Sequence, residues 1–158
     1  NVALVGDLRY GRTVHSLSEA LARFGCSLTF ISPTSLTMPR EIISDLLNSG
    51  ISIEETGDLH GSIENVDVIY MTRIQKERFP DDDEYHKVAG VFKLNRSDLS
   101  SAKKDMIIMH PLPRVDEISP DVDSTIHAKY FEQAFYGVVA RMSLLCRLLG
   151  VSVPEVNQ

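Results

Sequence analysis

The sequence predicts an α/β fold, a doubly wound parallel five-stranded sheet of the Rossmann-like type with helices on both faces and a long C-terminal helix. Three observations predict it. Five short apolar or alternating runs indicate strands, helical or polar stretches separate them, and a long apolar segment follows near the end of the 158 residues. Strands that alternate with helices are typical of parallel sheets with right-handed crossovers. The length suits one domain, residues 1–158.

The first predicted unit is a strand followed by a helix. The strand is the apolar run of residues 2–5. Thr13 is the predicted N-cap of the helix, and Gly25 is predicted to end it. Four apolar side chains at helical spacing form its buried face: Val14, Leu17, Leu21 and Phe24.

Two more strands and a second helix are predicted before residue 56. Residues 27–32 form an apolar run, and residues 51–55 alternate as an edge strand does. Between them, a helix is predicted to begin near Pro39 and to end at Gly50. Its apolar side chains are Ile42, Ile43, Leu46 and Leu47.

The second half supplies two strands and two helices. Residues 66–71 and 106–109 are apolar runs of the kind that forms buried parallel strands. The charged residues 74–84 predict a loop, and residues 85–92 predict a helix with Val88, Val91 and Phe92 inward. The last helix, about residues 128–149, is apolar on more than one face, which is more than a surface helix needs.

Composition excludes several kinds of partner. A net charge of −6 is unfavourable for binding nucleic acid. No apolar run approaches the roughly 20 residues of a membrane helix. Cys26 and Cys146 lie far apart, without the spacing of a metal site, and are predicted to be buried free thiols. A reducing compartment, without nucleic-acid or membrane partners, fits these features.

The turn that follows the fifth predicted strand is a candidate ligand site. It reads His110-Pro111-Leu112-Pro113, and its two prolines make the backbone stiff. Ligands of open α/β sheets bind at the carboxyl ends of the strands. The Leu112–Pro113 bond is a candidate cis peptide. The alternative, equally weighted, is a rigid connection with a hydrogen-bonded histidine.

Arginines follow three of the predicted strands. Arg9 and Arg12 come after the first strand, Arg73 after the fourth and Arg114 after the fifth. Their guanidinium groups suit carboxylates or phosphates, and Arg12 also precedes a helix whose N-terminal amides favour an anion. The alternative for any single arginine is a surface salt bridge. Together, with the amide of Gln75 nearby, they predict a site for a small molecule with two or more anionic groups.

Three motifs, in order, resemble the second, aspartate-binding domain of aspartate carbamoyltransferase, and the resemblance extends over essentially the whole chain. The motifs are residues 5–17 (VGDLRYGRTVHSL), 71–78 (MTRIQKER) and 110–118 (HPLPRVDEI). The ornithine-using relatives have a cysteine where Pro111 stands, so aspartate is favoured. This family joins the carbamoyl group of carbamoyl phosphate to the amine of L-aspartate, without metal or organic cofactor, in pyrimidine synthesis.

The resemblance implies a role for each matching residue. Arg12 would hold the α-carboxylate of aspartate, and Arg73 would hold the β-carboxylate with Gln75 beside it. Backbone carbonyls of Pro111 and Leu112 would orient the carbamoyl amide and the attacking amine. Subunit and loop contacts of a cytoplasmic homotrimer would involve a further set: Arg9, Tyr10, Glu84 and Tyr85.

The family's first domain, which binds carbamoyl phosphate, is not represented in these residues. We therefore expect this chain to carry half of an active site, and its last helix to pack on the domain that carries the other half. The alternative from another class is a non-enzymatic binding module that keeps the fold and the anion site.

Overall fold

The sheet has five parallel strands, as predicted. The computed structural model describes residues 1–75, 78–79 and 81–151, apart from the side chain of Asp82. The predicted loop residues Lys76, Glu77 and Pro80 therefore lie outside the described residues. The strands are β1 (Val2–Val5), β2 (Leu28–Ile31), β3 (Ile53–Thr56), β4 (Val68–Met71) and β5 (Ile107–Met109).

The strand order places the start of the chain at the centre of the sheet. The order is β3-β2-β1-β4-β5, and every neighbouring pair is parallel. All residues of β1 and β2 are buried, as expected for strands covered on both faces. The strand order reverses between β1 and β4, and this reversal is the switch point where such sheets bind ligands.

Two helices cover one face of the sheet. They are α1 (Arg12–Arg23) and α2 (Arg40–Asn48). Leu4 and Phe30 of the strands form a core on this face with Val14 of α1 and Leu46 of α2. Burial of one such side chain stabilises the fold by roughly 1.5–3 kcal/mol, so the apolar spacing of the two helices decides where they pack.

Short helices and the beginning of the last helix cover the other face. Leu59 of α3 (Leu59–Ser62) and Tyr130 of α5 (Tyr130–Leu148) belong to the core of this face. Helix α4 (Asp82–Val88) comes between β4 and β5 in the chain. Residues 127–129 run beside β5, with backbone hydrogen bonds between Ile108 and both His127 and Lys129. Tyr130 is consequently fully buried in the core of this face.

The predicted start of the first helix was wrong. Helix α1 begins at Arg12 with Gly11 as its N-cap, so Thr13 lies inside the helix. Asp7 accepts the Tyr10 N–H at 2.9 Å and closes the preceding turn early. A Cβ atom at Gly11 would lie 2.4 Å from the Asp7 carbonyl oxygen, so a glycine is required there.

Some side chains assigned to buried faces are exposed. Phe24 is 84% exposed, because α1 ends at Arg23 and Phe24 lies in the turn before Gly25. Val91 is 52% exposed and lies beyond the end of α4. Leu47 is also exposed. Cys26 and Cys146 are free but only partly buried.

Helix α4 begins earlier than predicted, within the acidic run. The side chain of Asp81 accepts a hydrogen bond from the Glu84 backbone N–H at 2.7 Å, which makes it the N-cap. Carboxylates near a helix N-terminus are favoured by the helix dipole. Residues predicted as a solvated loop therefore begin a helix.

Beyond its first turn, α5 is largely uncovered. The exposed apolar side chains include Phe135, Met142, Leu144 and Leu148. The apolar excess expected from the sequence is therefore present at the surface. Within the described part of the chain, no helix has the length and apolar character to cross a membrane.

Candidate functional site

A cavity of about 290 Å³ lies where β1, β4 and β5 end. The loops after these three strands form its walls. Five residues predicted from the sequence line it together: Arg12, Arg73, Gln75, Pro111 and Leu112. Parallel strands bring their carboxyl ends to one edge, which explains how residues distant in sequence meet here.

Three guanidinium groups belong to this cavity. Arg12 lies at the N-terminus of α1, where the helix dipole also favours an anion. Arg73 and Arg78 come from the segment after β4. Arg78 also donates a hydrogen bond to the Tyr10 carbonyl oxygen, which joins the loops after β1 and β4. The cluster favours a ligand with more than one negative charge.

The sequence reasoning gave Arg78 no role. Its place in the cavity depends on how the chain turns after β4, which residue spacing does not determine. The only available indication was that Arg78 lies five positions after Arg73, in the same motif. The structure adds it to the candidate binding residues.

Arg114 does not line this cavity, contrary to the prediction that its loop would add a site cation. Its guanidinium group forms an ion pair with Asp123 and donates a hydrogen bond to the Tyr130 hydroxyl at 3.1 Å. The hydrogen bond from Arg114 holds the pKa of Asp123 below its ordinary value. Burial, with the hydrogen bond to Asp123, raises the pKa of Tyr130 to about 12. Arg114 therefore anchors the loop to the start of α5.

The turn after β5 has an unusual backbone. Leu112 has φ +52°, and the Leu112–Pro113 peptide is cis, as expected. A non-glycine residue in the left-handed region costs about 1–3 kcal/mol and persists only where its surroundings hold it there. The Leu112 N–H donates to Nδ1 of His110 at 2.8 Å. The His110 N–H in turn donates to Oε1 of Gln133 on α5 at 2.9 Å.

His110 is buried and fully hydrogen-bonded. Its Nε2 lies 2.6 Å from Oε1 of Glu117, while Nδ1 accepts the Leu112 N–H. Both ring nitrogens are thus engaged within the turn, which favours the structural interpretation of this histidine over a proton-transfer role. The rigid turn is nevertheless part of the cavity wall.

Asp7 is a functional candidate that the sequence reasoning missed. It is buried and lines the cavity, and Oδ2 has no hydrogen-bond partner among the described residues. Burial raises the pKa of the Asp7 carboxyl, and the hydrogen bond from Tyr10 and the charge of Arg78 offset only part of this effect. An acid placed directly after a buried strand was the available indication.

Replacement of Asp7 by asparagine is expected to stabilise the fold. When folding raises the pKa of a carboxyl, the protein's free energy of unfolding falls as the pH rises through the folded-state pKa. The Asp7→Asn variant lacks this charge, so its free energy of unfolding should exceed that of the wild type at pH 7. The measurement is urea unfolding between pH 3 and 8.

The pH dependence distinguishes this effect from a packing change. The difference between Asp7→Asn and the wild type should shrink towards zero below the ordinary pKa range of aspartate, where both side chains are neutral. Asp105→Asn, at an exposed position, is the matched control and should unfold as the wild type does. A variant less stable than the wild type at every pH would contradict the argument.

The four residues predicted to make loop and subunit contacts lie near each other. Tyr10 packs edge-on against Phe79 at 6.3 Å between ring centroids, and Phe79 packs against Tyr85 at 5.6 Å. Arg9 and Glu84 line the same surface cavity, of about 240 Å³, with Tyr10 and Phe79. Their role in subunit contacts stays a prediction.

A smaller cavity connects this aromatic group to the candidate site. Its volume is about 130 Å³, and its lining includes Tyr85 together with Arg73 and Gln75. The two candidate ligand residues after β4 therefore border both cavities. A change in the position of Tyr85 would therefore alter the surroundings of these two residues in the candidate site.

Metal binding has no support in the described part of the chain. Among those residues, no group of three or more histidine, cysteine, aspartate or glutamate side chains is placed to hold a metal ion. His15 bonds to the Leu8 carbonyl oxygen at 2.8 Å and His127 to the Met106 carbonyl oxygen at 2.7 Å. Both histidines thus have structural contacts.

Sequence comparisons match one family over nearly the whole chain. The family model for the aspartate/ornithine carbamoyltransferase Asp/Orn-binding domain matches residues 1–148. The aspartate carbamoyltransferase catalytic subunit of Methanocella arvoryzae is 56% identical over 97% of this chain and 50% of the relative. That of Methanothermobacter thermautotrophicus is 55% identical over 99% and 50%. The chain spans about half the length of the curated relatives it matches.

Solved structures give the same result. The catalytic subunit of M. jannaschii aspartate transcarbamoylase superposes with a TM-score of 0.86 at 50% identity, over 94% of this chain and 50% of that chain. The Trypanosoma cruzi enzyme, solved with carbamoyl phosphate and aspartate, superposes with a TM-score of 0.82 at 39% identity, over 91% and 48%.

Proposed function

The chain belongs to the aspartate/ornithine carbamoyltransferase family, as its Asp/Orn-binding domain, and on that premise we propose that it binds L-aspartate for carbamoyl transfer. The reaction converts carbamoyl phosphate and L-aspartate into N-carbamoyl-L-aspartate and phosphate, a step of pyrimidine biosynthesis. This domain supplies the aspartate half of the active site. Identity above one half with curated catalytic subunits favours this function over a non-enzymatic binding module.

The observation that carries the proposal is the cavity with three arginines from two separate loops. L-Aspartate has two carboxylates, and each matches a guanidinium group of different origin, Arg12 for the α-carboxylate and Arg73 for the β-carboxylate. Gln75 adds an amide beside Arg73. The cavity of about 290 Å³ is of the size that a small amino acid requires.

The same cluster disfavours ornithine as substrate. Its side chain carries a positive charge, which would lie in a cavity that already holds Arg12, Arg73 and Arg78. Like charges at short range reject the wrong ligand. Pro111, where ornithine-using relatives have a cysteine, supports the same choice.

The remaining parts of the reaction are assigned by family membership. Backbone carbonyls of Pro111 and Leu112 orient the carbamoyl amide and the attacking amine, and a carbamoyl-phosphate-binding domain holds the phosphate. We propose a cytoplasmic homotrimer, with subunit contacts near Arg9, Tyr10, Glu84 and Tyr85, and no cofactor. The T. cruzi relative was solved in complex with carbamoyl phosphate and aspartate, which supports the assignment of these two substrates.

Replacement of either carboxylate-binding arginine tests the proposal. In the complete enzyme, with the carbamoyl-phosphate-binding domain present, Arg12→Ala or Arg73→Ala removes a charge-assisted contact worth about 1.5–3 kcal/mol. The aspartate KM should therefore rise about tenfold to a hundredfold. Arg73→Lys should also bind poorly, because a point charge does not reproduce the planar fork. Steady-state kinetics with varied aspartate measure the effect.

A surface arginine provides the control. Arg40 lies on α2, pairs with Glu55 at 3.0 Å and is well exposed, so Arg40→Ala should leave the aspartate KM within about twofold of the wild type. Wild-type aspartate kinetics in both Arg12→Ala and Arg73→Ala would refute the assignment of this cavity to aspartate.

A further inference from the structure

We propose that Glu117 is a positioning residue, which acts through His110 to hold the substrate-orienting turn of Pro111 and Leu112 in its active conformation. The proposal rests on the proposed function of that turn. Glu117 does not line the cavity that contains Arg12 and Leu112, although it borders the adjoining smaller cavity with Arg73 and Gln75. We assign its effect on the reaction to its hydrogen bonds, which reach the turn directly.

The contacts of His110 determine its tautomer. Because the Leu112 N–H donates to Nδ1 at 2.8 Å, Nδ1 has to be unprotonated. A neutral imidazole then carries its proton on Nε2. That N–H points at Oε1 of Glu117, 2.6 Å away. The carboxylate thus selects the tautomer that leaves Nδ1 available as an acceptor for Leu112.

The backbone of Leu112 depends on the same histidine. Its φ of +52° is disfavoured for any residue with a side chain, so surrounding contacts have to hold it. The hydrogen bond from the Leu112 N–H to His110 is such a contact. A rotation at this residue would redirect the peptide groups on both sides, including the carbonyls assigned to substrate.

Glu117 also closes the segment at its other end. Its second oxygen, Oε2, accepts the backbone N–H groups of Val115 and Asp116, each at 3.2 Å. One carboxylate therefore accepts three hydrogen bonds and joins the two ends of the segment 110–117. The side chains of Glu117 and His110 are almost completely buried, so water cannot easily replace the hydrogen bond between them.

Charge on Glu117 is maintained by the same contacts. Burial would raise the pKa of the carboxyl, but the hydrogen bonds from His110 and from backbone N–H groups outweigh burial and hold its pKa below the ordinary value. A carboxylate is an acceptor on both oxygens, whereas a glutamine side chain accepts on one and donates on the other. An isosteric glutamine therefore fails at one of the two ends.

The test is Glu117→Gln in the complete enzyme. If the glutamine amide faces His110, it donates to Nε2 and forces the proton onto Nδ1, opposite the Leu112 N–H. If the glutamine amide instead faces the backbone, its N–H groups meet the two backbone N–H groups that the carboxylate had accepted, so donors face donors. We expect kcat per active site to fall at least tenfold, with the aspartate KM changed less than threefold, because the arginines stay in place. Titration with N-(phosphonacetyl)-L-aspartate counts the active sites.

The control for charge removal is Glu54→Gln, at an exposed position on β3, which should leave both parameters unchanged. A kcat within twofold of the wild type per titrated site would overturn the proposal. So would a loss that appears only as fewer titratable sites with normal kcat, because that pattern means a purely structural role.

A second readout does not depend on catalysis. In ¹⁵N-histidine-labelled enzyme without substrates, solid-state ¹⁵N NMR should show His110 as a neutral ring protonated on Nε2, and Glu117→Gln should alter that signature. An Nδ1-protonated or doubly protonated His110 in the wild type would refute the inference even if the arginine variants behave as proposed. Conversely, normal aspartate kinetics in the arginine variants, with the expected His110 tautomer, would refute the proposed function alone.

Discussion

Residues 1–158 alone are expected to form no N-carbamoyl-L-aspartate above background, and added carbamoyl-phosphate-binding domain is expected to restore turnover. The cavity described above contains the arginines that we propose for the two carboxylates of aspartate, and the chain spans about half of its curated relatives. A domain that holds one of two substrates loses the advantage of their alignment, which corresponds to effective molarities of about 10⁵–10⁸ M. The assay is carbamoyl-aspartate formation at saturating concentrations of both substrates.

The restored activity has to depend on this chain. The carbamoyl-phosphate-binding domain of an aspartate carbamoyltransferase should be inactive by itself, and it should give less turnover with the Arg73→Ala chain than with the wild type. Robust turnover by residues 1–158 alone, in a preparation free of host enzyme, would show that the division between two domains is wrong.

Much of the site was predictable because sheet topology is predictable. Apolar runs indicated β1, β4 and β5, and parallel pairing then required the loops that carry Arg12, Arg73 and Leu112 to share one edge. The resemblance to a family added a role for each residue. Neither step needed knowledge of side-chain packing.

Other features depend on contacts between residues distant in the sequence. Arg114 follows a strand, as the site arginines do. However, its guanidinium group pairs with Asp123 and Tyr130 and does not line the cavity. Asp7 has functional interest because one oxygen is buried without a described partner. Periodicity and residue spacing do not determine either property, since both depend on the packing of loops.

Helix ends were a further source of error. Phe24 continues the apolar spacing of α1, but the helix ends before it and the turn at Gly25 leaves the ring exposed. The acidic residues after Asp81 looked like loop residues, although they satisfy the N-terminus of α4. A pattern of side chains locates an element better than it locates the element's last turn.

The isolated chain is expected to self-associate through α5. Leu144 and Leu148 are 57% and 74% exposed, and Val139 and Val151 are exposed as well. Full burial of one leucine or valine is worth roughly 1.5–3 kcal/mol, so a contact that covers several of them is strongly favourable. Patches of this kind promote association in water. Light scattering over a range of chain concentrations should show a mass above that of the monomer.

Substitutions on α5 distinguish association through this helix from nonspecific aggregation. Leu144→Glu and Leu148→Glu each place a charge in the proposed contact and should shift the chain towards the monomer. Ser143→Glu adds the same charge at a polar, exposed position of the helix and should have a smaller effect. A wild-type chain that stays monomeric at high concentration would contradict the expectation.

Since α5 lacks cover from its own sheet beyond Tyr130, the same residues are the surface on which the carbamoyl-phosphate-binding domain is expected to pack. Addition of that domain should therefore reduce the association as it restores the activity.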